Sequence, residues 1–298
     1  MASKRQDVEF KTLDGTTLRA WLYPAQSKGP CIIMSHGFSG IKHHFLDNFA
    51  VRFQSEGWTT LVYDNRNWGE SEGLPRQQID PQQQVKDYYD AFEYVASLPE
   101  VNASKIVYWG SSLSGGNVIC AAAVDKRIAA VISQVPFVSG EQASANNAAM
   151  LPLLFHNRAN VHAGIPSAVI PVTPETLEEA QSGHSHAVLG SVDAFNFNQA
   201  TASRGGDWKN EVTVQSMLNL MSHEPQAFIH RIAPTPFLMV VSEHDSSIPT
   251  PQQLAMFHLA REPKKLAVLK GVGHFDVYTG QAFEENISIQ VDFLRENL

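Results

Sequence analysis

The chain carries the run Trp109-Gly110-Ser111-Ser112-Leu113-Ser114-Gly115-Gly116 between an apolar segment and a segment of small residues. This order is typical of a buried strand that turns tightly into a central helix, predicted here for about 113–124. A serine at such a turn has its hydroxyl exposed above the sheet edge, provided that small residues two positions before and after it let strand and helix approach. Gly110 and Ser114 occupy these positions, so Ser112 is the candidate nucleophile.

Strand and helix patterns alternate on both sides of this turn. Residues 8–23 have the alternation and the Asp14-Gly15 turn of a hairpin, and Asp80-Pro81 begins a helical pattern that runs to about Val95. Short continuous apolar runs, typical of strands buried on both faces, occur at 31–34, 59–63, 106–109, 129–135, 237–241 and 266–269. The alternation predicts an α/β fold with a parallel, doubly wound sheet.

The alternation stops between about Phe137 and Pro236. This stretch is rich in Ala, Asn, Pro and Gly and contains short helical patterns such as 214–221. A structureless loop of that length is implausible in a compact domain. The sequence therefore predicts a mostly helical insertion at 137–236, with the core formed by 1–136 and 237–298.

A serine hydroxyl needs a base, and the base needs an orienting acid. Asp245 follows the buried strand at 237–241, and His274 follows the next strand between glycines. All three side chains thus come after the carboxyl ends of predicted parallel strands, where open α/β sheets place their sites. Ser112, Asp245 and His274 are the predicted catalytic residues, and their order Ser, Asp, His is one of the known chain orders of a catalytic triad.

Alternatives to these assignments are present in the sequence. A serine-containing strand–helix turn is common, and the one at Ser112 has a purely structural reading. Glu243 competes with Asp245 as the acid, and Asp245 has a second reading as the cap of a helix that begins near Pro249. His244 and His186 are weaker candidates for the base.

Backbone N–H groups for an oxyanion are predicted at two turns. Ser35-His36-Gly37-Phe38 follows a buried strand, and Gly37 lets the backbone turn so that the Phe38 N–H faces the site. The Leu113 N–H begins the central helix. Together they predict an oxyanion hole made of Phe38 and Leu113, although the Gly37 turn is also explained as a turn alone.

The chain resembles the α/β-hydrolases over its whole length, and more narrowly the fungal polyketide transferase and thiohydrolase group, which is related to dienelactone-hydrolase-like enzymes. The stretches that carry the resemblance are 34–38, 62–66 with 69–73, 109–115, 208–213 and 225–236. The resemblance implies a mostly parallel eight-stranded sheet with a helical lid insertion. It also implies acyl chemistry on esters or thioesters, which ends in hydrolysis or in transfer.

Hydrophobic residues in the insertion suggest a hydrophobic acyl substrate, either a small molecule or carrier-bound. The resemblance implies that this acyl group is polyketide-like. Phe155, within the apolar run 150–155, is a candidate for substrate binding together with Gly37 and Trp208. Packing of the insertion on the core explains the same apolar residues equally well, and Trp208 has a second reading as an anchor. Acyl transfer, cyclisation and a non-catalytic binding protein are alternatives to hydrolysis.

Composition excludes several classes of function. The 298 residues have a net charge of −8 and no basic stripe, so nucleic acid is not an expected partner. The N-terminus lacks the apolar core of a secretory signal, and no apolar run is long enough to span a bilayer. Cys31 and Cys120 are predicted to be buried thiols. We therefore expect a cytoplasmic protein. His43-His44 lacks a third ligand at suitable spacing, so no metal or other cofactor is expected. A homodimer is neither predicted nor excluded by the sequence.

Overall fold

The computed structural model describes residues 4–145 and 148–298. Met1–Ser3, the first residues of the N-terminal segment considered above, lie outside the described residues. So do Asn146 and Asn147, which belong to the predicted insertion.

The described part of the chain contains an eight-stranded sheet and a separate two-stranded pair. The strands of the large sheet are β1 (Gln6–Lys11), β2 (Thr17–Tyr23), β3 (Gly29–Ser35), β4 (Thr59–Tyr63), β5 (Val101–Ser111), β6 (Ala130–Gln134), β9 (Phe237–Ser242) and β10 (Lys264–Leu269). The pair consists of β7 (Val169–Ile170) and β8 (Val212–Thr213).

The sheet has the order β1-β2-β4-β3-β5-β6-β9-β10. β2 pairs antiparallel with β1 and with β4, and the other neighbours are parallel. In the register of the central strands, Ile33 lies opposite both Leu61 and Tyr108. The predicted mostly parallel, doubly wound sheet is confirmed. β5 begins at Val101, earlier than the apolar run at 106–109 indicates, because Val101 already pairs with Gly29 of β3.

Helices connect and cover the strands. Those found in the described ranges are α1 (Leu46–Ser55), α2 (Pro81–Ala96), α3 (Leu113–Val124), α4 (Gly140–Ala145), α5 (Leu151–His162), α6 (Leu177–Ser182), α7 (Val192–Ala202), α8 (Val214–Leu220), α9 (Thr250–Leu259) and α10 (Gly280–Asn297). Short 3₁₀ turns occupy Ala148–Met150, Pro225–Ala227, Ile229–Arg231 and Asp276–Tyr278. Between β6 and β9 the chain forms α4 to α8 and the β7–β8 pair.

Two hydrophobic clusters hold the helices against opposite faces of the sheet. Ile33 packs in the cluster that includes α2, α3 and α9, whereas its neighbours Ile32 and Met34 pack in the cluster that includes α1 and α10. This switch follows from the alternation of side chains along a strand. Each fully buried aliphatic or aromatic side chain contributes about 1.5–3 kcal/mol relative to exposure, so the two clusters fix the strand ends that carry the site.

Local sequence explains where the helices beside the site begin. The Asp80 side chain accepts hydrogen bonds from the N–H groups of Gln82 and Gln83 and so caps α2. α3 is almost wholly buried because its residues are small, and a Cβ on Gly115 would lie only 3.0 Å from the Gln134 carbonyl oxygen. α3 therefore lies close to β6. None of the helices within the two described ranges is long and apolar enough to cross a membrane.

Candidate active site

Ser112 lies at the turn between β5 and α3 in a strained backbone conformation. Its φ of 55° and ψ of −119° are rare for a residue with a side chain. The Ser112 N–H donates to the Gln134 carbonyl at 2.9 Å, which ties the turn to the neighbouring strand. A Cβ on Gly110 would come within 2.0 Å of the Ser114 carbonyl oxygen, so this turn requires glycine there.

Ser114 takes the position that holds glycine in the G-x-S-x-G pattern. It is fully buried, and its hydroxyl donates to the His36 carbonyl at 2.6 Å. The hydroxyl that serine has and glycine lacks is thus hydrogen-bonded, so its burial does not leave an unpaired polar group. The bond also joins the start of α3 to the loop after β3, which contains Gly37 and Phe38.

His274 joins the two other predicted catalytic residues. Its Nε2 lies 3.0 Å from the Ser112 hydroxyl oxygen, and its Nδ1 lies 2.7 Å from Asp245 Oδ2. The imidazole is buried, at 2% exposure, so its orientation is held by packing as well as by these two bonds. The structure thus brings together three side chains that are far apart in sequence. Their geometry suits a nucleophile, a base and an orienting acid.

Asp245 is held by four hydrogen bonds. Oδ1 accepts from the N–H groups of Ser247 and Ile248 at 2.9 and 2.7 Å. Oδ2 accepts from Gln253 Nε2 at 2.9 Å, in addition to its bond with His274. Asp245 therefore orders the turn before α9 and contacts the histidine. Its alternative reading as the cap of that helix is wrong, because Pro249 occupies the N-cap position of α9 and no side chain caps the helix. Gln253 was missed because nothing in a single helical glutamine indicates its partner.

Glu243, the competing acid, faces away from His274. Its carboxylate pairs with Lys270 Nζ at 2.8 Å and accepts from the Gly271 N–H at 2.9 Å. The hydrogen bond from Lys270 lowers the pKa of Glu243. The side chain of His244 is 68% exposed and points towards Glu243, with 3.9 Å between its Nε2 and the carboxylate. Neither residue contacts Ser112.

The predicted oxyanion residues lie beside the Ser112 hydroxyl. Within the described residues, the N–H groups of Phe38 and Leu113 have no hydrogen-bond acceptor. Gly37 packs tightly against Ser112, because a Cβ there would lie 2.5 Å from Ser112 Cβ. N–H donors on two residues that line a cavity together with Ser112 are what an oxyanion hole requires.

His36 holds the Phe38 loop in place, a role that the sequence did not indicate. Its Nδ1 accepts from the Gly37 N–H at 2.8 Å, and its Nε2 donates to the His44 carbonyl at 3.1 Å. The ring stacks on Tyr278 with 5.1 Å between centroids. Burial lowers the pKa of His36 to about 3, so the imidazole is neutral and keeps an acceptor nitrogen for the loop.

Replacing Gly37 with Ala tests this close packing. Because the added methyl would overlap Ser112, we expect the Phe38 loop to shift and kcat to fall by about 10²–10³-fold, the size of the loss of one oxyanion donor. Gly29→Ala is the matched control, since its Cβ would have its nearest neighbour at 3.6 Å. Steady-state kinetics of both variants check this. Full activity of Gly37→Ala would contradict the described geometry.

Buried neutral histidines make the fold sensitive to acid. Burial lowers the pKa values of His36 and His223 to about 3, from 6.5 when exposed. The unfolded chain therefore binds protons that the folded chain does not, so stability falls as the pH drops from 6.5 towards 3. Each histidine contributes about 1.4 kcal/mol per pH unit to the slope. Urea unfolding at pH 7, 6, 5 and 4 measures the free energy of unfolding at each pH. His223→Phe should reduce the slope of this free energy against pH by the contribution of one proton. An unchanged slope would contradict a neutral His223.

Two cavities border Ser112. The larger cavity has a volume of about 560 Å³ and is lined by Leu113 and by residues between 137 and 252. The smaller cavity has a volume of about 40 Å³ and is lined by Gly37, His274 and Trp208 among others. Phe38, Ser112 and Leu189 line both of them.

Trp208 is anchored on the core and lines a cavity beside Ser112, and its role in substrate binding stays a prediction. Its indole Nε1 donates to the Ser39 carbonyl at 2.9 Å, which anchors it on the loop after β3, and its ring lines the smaller cavity. The prediction for Phe155 is corrected, because this side chain is 58% exposed and lines neither cavity. Adjacent residues of a helix point about 100° apart, and on α5 it is Leu154 that points inward.

No group of three or more His, Cys, Asp or Glu side chains suited to a metal ion occurs in residues 4–145 and 148–298. Cys31 and Cys120 are free and buried, as predicted.

Known proteins resemble this chain in both sequence and structure. The profile of the alpha/beta hydrolase fold matches residues 30–281. The chain belongs to the α/β-hydrolase family. This agrees with its sheet and with the position of Ser112 on the turn after β5.

Relatives within the α/β-hydrolase family match the chain over nearly its whole length. A thiohydrolase from Eupenicillium brefeldianum is 36% identical, with 98% of this chain and 94% of the relative covered. A polyketide transferase, ATR5, from Stachybotrys chlorohalonatus is 35% identical, covering 99% and 98%. The crystal structure of the α/β-hydrolase GrgF from a Penicillium species has a TM-score of 0.86 at 36% identity and covers 99% of each chain. The predicted resemblance to this group is confirmed.

Proposed function

We propose that this α/β-hydrolase cleaves an ester or thioester of a hydrophobic acyl group through an acyl-serine intermediate. The observation that carries the proposal is the hydrogen-bonded series from the Ser112 hydroxyl through His274 to Asp245, with distances of 3.0 and 2.7 Å. A serine hydroxyl is a weak nucleophile near neutral pH, and a base in this position activates it.

Acylation would begin when Ser112 Oγ attacks the substrate carbonyl carbon and His274 Nε2 takes the hydroxyl proton. The N–H groups of Phe38 and Leu113 would donate to the oxygen that becomes negative. Asp245 accepts from Nδ1–H and so leaves Nε2 unprotonated and facing Ser112. When the tetrahedral intermediate collapses, His274 Nε2 gives its proton to the leaving oxygen or sulfur. The acyl group then remains on Ser112.

Deacylation would repeat these steps with water. His274 Nε2 takes a proton from the water as its oxygen attacks the acyl carbon, and the same N–H groups stabilise the second oxyanion. The bond to Ser112 Oγ then breaks, and the proton returns to the serine. A carboxylic acid is released, and no residue outside the site has to supply electrons or protons.

Several observations favour a hydrophobic acyl group of considerable size. The larger cavity falls within the range of about 300–1,000 Å³ that holds drug-sized ligands, and Phe137, Leu154 and Met217 contribute to its walls. Relatives named thiohydrolase and polyketide transferase make a thioester of a polyketide-like chain the first substrate to test.

We treat residues 137–236 as an insertion that acts as a lid over Ser112. It supplies Phe197 and Trp208 to the smaller cavity and Met217 to the larger one. Residues that enclose a site exclude bulk water and strengthen the electrostatic interactions inside it. The lid is therefore part of the proposed chemistry as well as of the substrate fit.

Acyl transfer, including cyclisation, is the second candidate, favoured by relatives named polyketide transferase. Transfer and hydrolysis share the acyl-serine and differ in what attacks it. A transferase binds an acceptor and excludes water from the intermediate.

One product analysis tests both candidates. N-acetylcysteamine thioesters and p-nitrophenyl esters from acetyl to decanoyl are incubated with the protein, with and without n-butanol as an acceptor. Release of free acid in both conditions supports hydrolysis, and formation of the butyl ester supports transfer. If no substrate of either series is cleaved faster than in buffer, and none is transferred, the proposed function is wrong.

A further inference from the structure

The two cavities beside Ser112 differ in which catalytic group faces them. Both are lined by Ser112 and Phe38, so both border the hydroxyl and one oxyanion donor. Among the described residues, His274 lines the smaller cavity and does not line the larger one. The base is therefore accessible from one side of the nucleophile only.

The proton transfers of acyl transfer indicate which part of the substrate lies on the side of His274. The leaving group receives its proton from His274 Nε2, and the group that later attacks the acyl-serine gives its proton to the same nitrogen. Both groups must therefore lie on the side of Ser112 that His274 faces. The acyl chain exchanges no proton with the histidine and occupies the other side.

We propose that the larger cavity binds the acyl chain, and that the smaller cavity admits the leaving group and afterwards the attacking water. This assignment rests on the proposed acyl-serine chemistry. In the second step, the water oxygen bonds to the acyl carbon and the bond from that carbon to Ser112 Oγ breaks. The water proton moves to His274 Nε2 and then to Ser112. The substrate class is a long, mostly apolar acyl chain on a slender, unbranched thiol or alcohol.

The sizes of the two cavities fit these occupants. A water molecule needs about 10–15 Å³ of accessible volume, so the 40 Å³ of the smaller cavity holds about three waters. The smaller cavity therefore favours water or a slender leaving group over a bulky or branched one. The larger cavity, at about 560 Å³, has walls that are mainly apolar, formed by Phe137, Leu154, Ile170, Val188, Met217 and Leu220.

Two aromatic residues keep the smaller cavity narrow. Phe197 stacks on Phe275 with 4.7 Å between ring centroids and lies 5.2 Å from the Tyr278 ring. Trp208 is fixed by its hydrogen bond of 2.9 Å to the Ser39 carbonyl. Because neighbours hold both rings, the cavity does not widen by a simple side-chain rotation. Phe197 and Trp208 therefore determine which acceptors reach the acyl-serine, and they favour water over larger alcohols.

Two substitutions and two substrate series test the assignment. Met217→Trp fills the larger cavity, and Phe197→Ala widens the smaller one. The first series varies the acyl chain from acetyl to decanoyl on N-acetylcysteamine. The second varies the alcohol of butyryl esters from methyl to naphthylmethyl. Because a misfit of a few carbon atoms in a pocket changes kcat/KM by about 10–200-fold, each variant should affect one series strongly.

We expect Met217→Trp to lower the decanoyl-to-acetyl ratio of kcat/KM by about tenfold or more and to leave the ratio across the alcohol series unchanged. Phe197→Ala should raise the naphthylmethyl-to-methyl ratio by a similar factor, and it should increase the share of acyl groups transferred to n-butanol. Leu153→Trp on α5 is the control for an added indole, since Leu153 is 56% exposed and lines neither cavity.

The reverse pattern, in which Met217→Trp changes the alcohol series and Phe197→Ala changes the acyl series, would overturn the assignment. So would unchanged ratios in both folded variants. Thermal unfolding identifies a variant that does not fold, and Leu220→Phe then replaces Met217→Trp. Failure of the proposed function is a separate result, because wild-type protein would then form no fluorophosphonate adduct at Ser112.

Discussion

Replacing Ser112 with Ala should lower kcat by about 10⁴–10⁶-fold, the loss seen when a triad nucleophile is removed. The alanine leaves His274, Asp245 and the two backbone donors in place but removes the oxygen that forms the covalent bond. Stability should change by no more than about 1 kcal/mol, since the hydroxyl makes one hydrogen bond, at 3.0 Å to His274. Steady-state kinetics and urea unfolding of the same preparation measure both quantities.

Ser111→Ala is the matched control for this experiment. Ser111 is the neighbouring serine, and its hydroxyl is hydrogen-bonded to Tyr278 at 2.6 Å and to Gln134 at 3.0 Å in the buried interior. Its loss leaves buried partners unpaired, so we expect a stability decrease of about 1–3 kcal/mol and activity within about tenfold of wild type. If Ser111→Ala abolished turnover and Ser112→Ala did not, the nucleophile would be misassigned.

Asp245→Asn should lower kcat by about 10⁴-fold, because the amide would impose the wrong tautomer on His274. The N–H groups of Ser247 and Ile248 require an acceptor at Oδ1, so the amide oxygen would stay there. The amide NH₂ would then face His274 Nδ1, which would have to become an acceptor. Nε2 would carry the proton and could no longer take one from Ser112.

Glu243→Gln distinguishes this explanation from a general effect of lost negative charge. Glu243 is two residues from Asp245 but pairs with Lys270 on the surface. Exposed ion pairs contribute about 0–1 kcal/mol, so activity within about threefold of wild type is expected. Kinetics of the two variants measured side by side decide the assignment. A fully active Asp245→Asn together with an inactive Glu243→Gln would reverse the choice of acid.

Sequence patterns were sufficient for the fold because they depend on local periodicity. Continuous apolar runs marked six strands of the sheet, and Asp80-Pro81 marked the start of α2. The expectation of burial on both faces is wrong for β10, which is only partly buried because it lies at the edge of the sheet. The turn at Ser112 was predictable because both neighbouring elements and both small framing residues lie within a few positions of it. The juxtaposition with His274 followed from topology, since the carboxyl ends of parallel strands meet at one edge.

Other parts of the site depend on packing that no local pattern encodes. Phe155 was chosen for its hydrophobicity, but the rotation of α5 turns Leu154 inward and leaves Phe155 exposed. His36 holds the loop of Gly37 and Phe38 through one ring nitrogen, and Gln253 reaches Asp245 from α9. The division of the space around Ser112 into two cavities depends on where residues 137–236 lie, and their irregular sequence does not specify that.

Labelling with a fluorophosphonate, followed by mass spectrometry of the digested protein, tests the central claim most directly. The claim is that His274 activates the hydroxyl of Ser112. We predict one adduct per chain, on the peptide that contains Ser112, and no labelling of Ser112→Ala or His274→Ala. Turnover of an acyl thioester by protein whose Ser112 stays unlabelled, or whose adduct maps to another residue, would contradict the account.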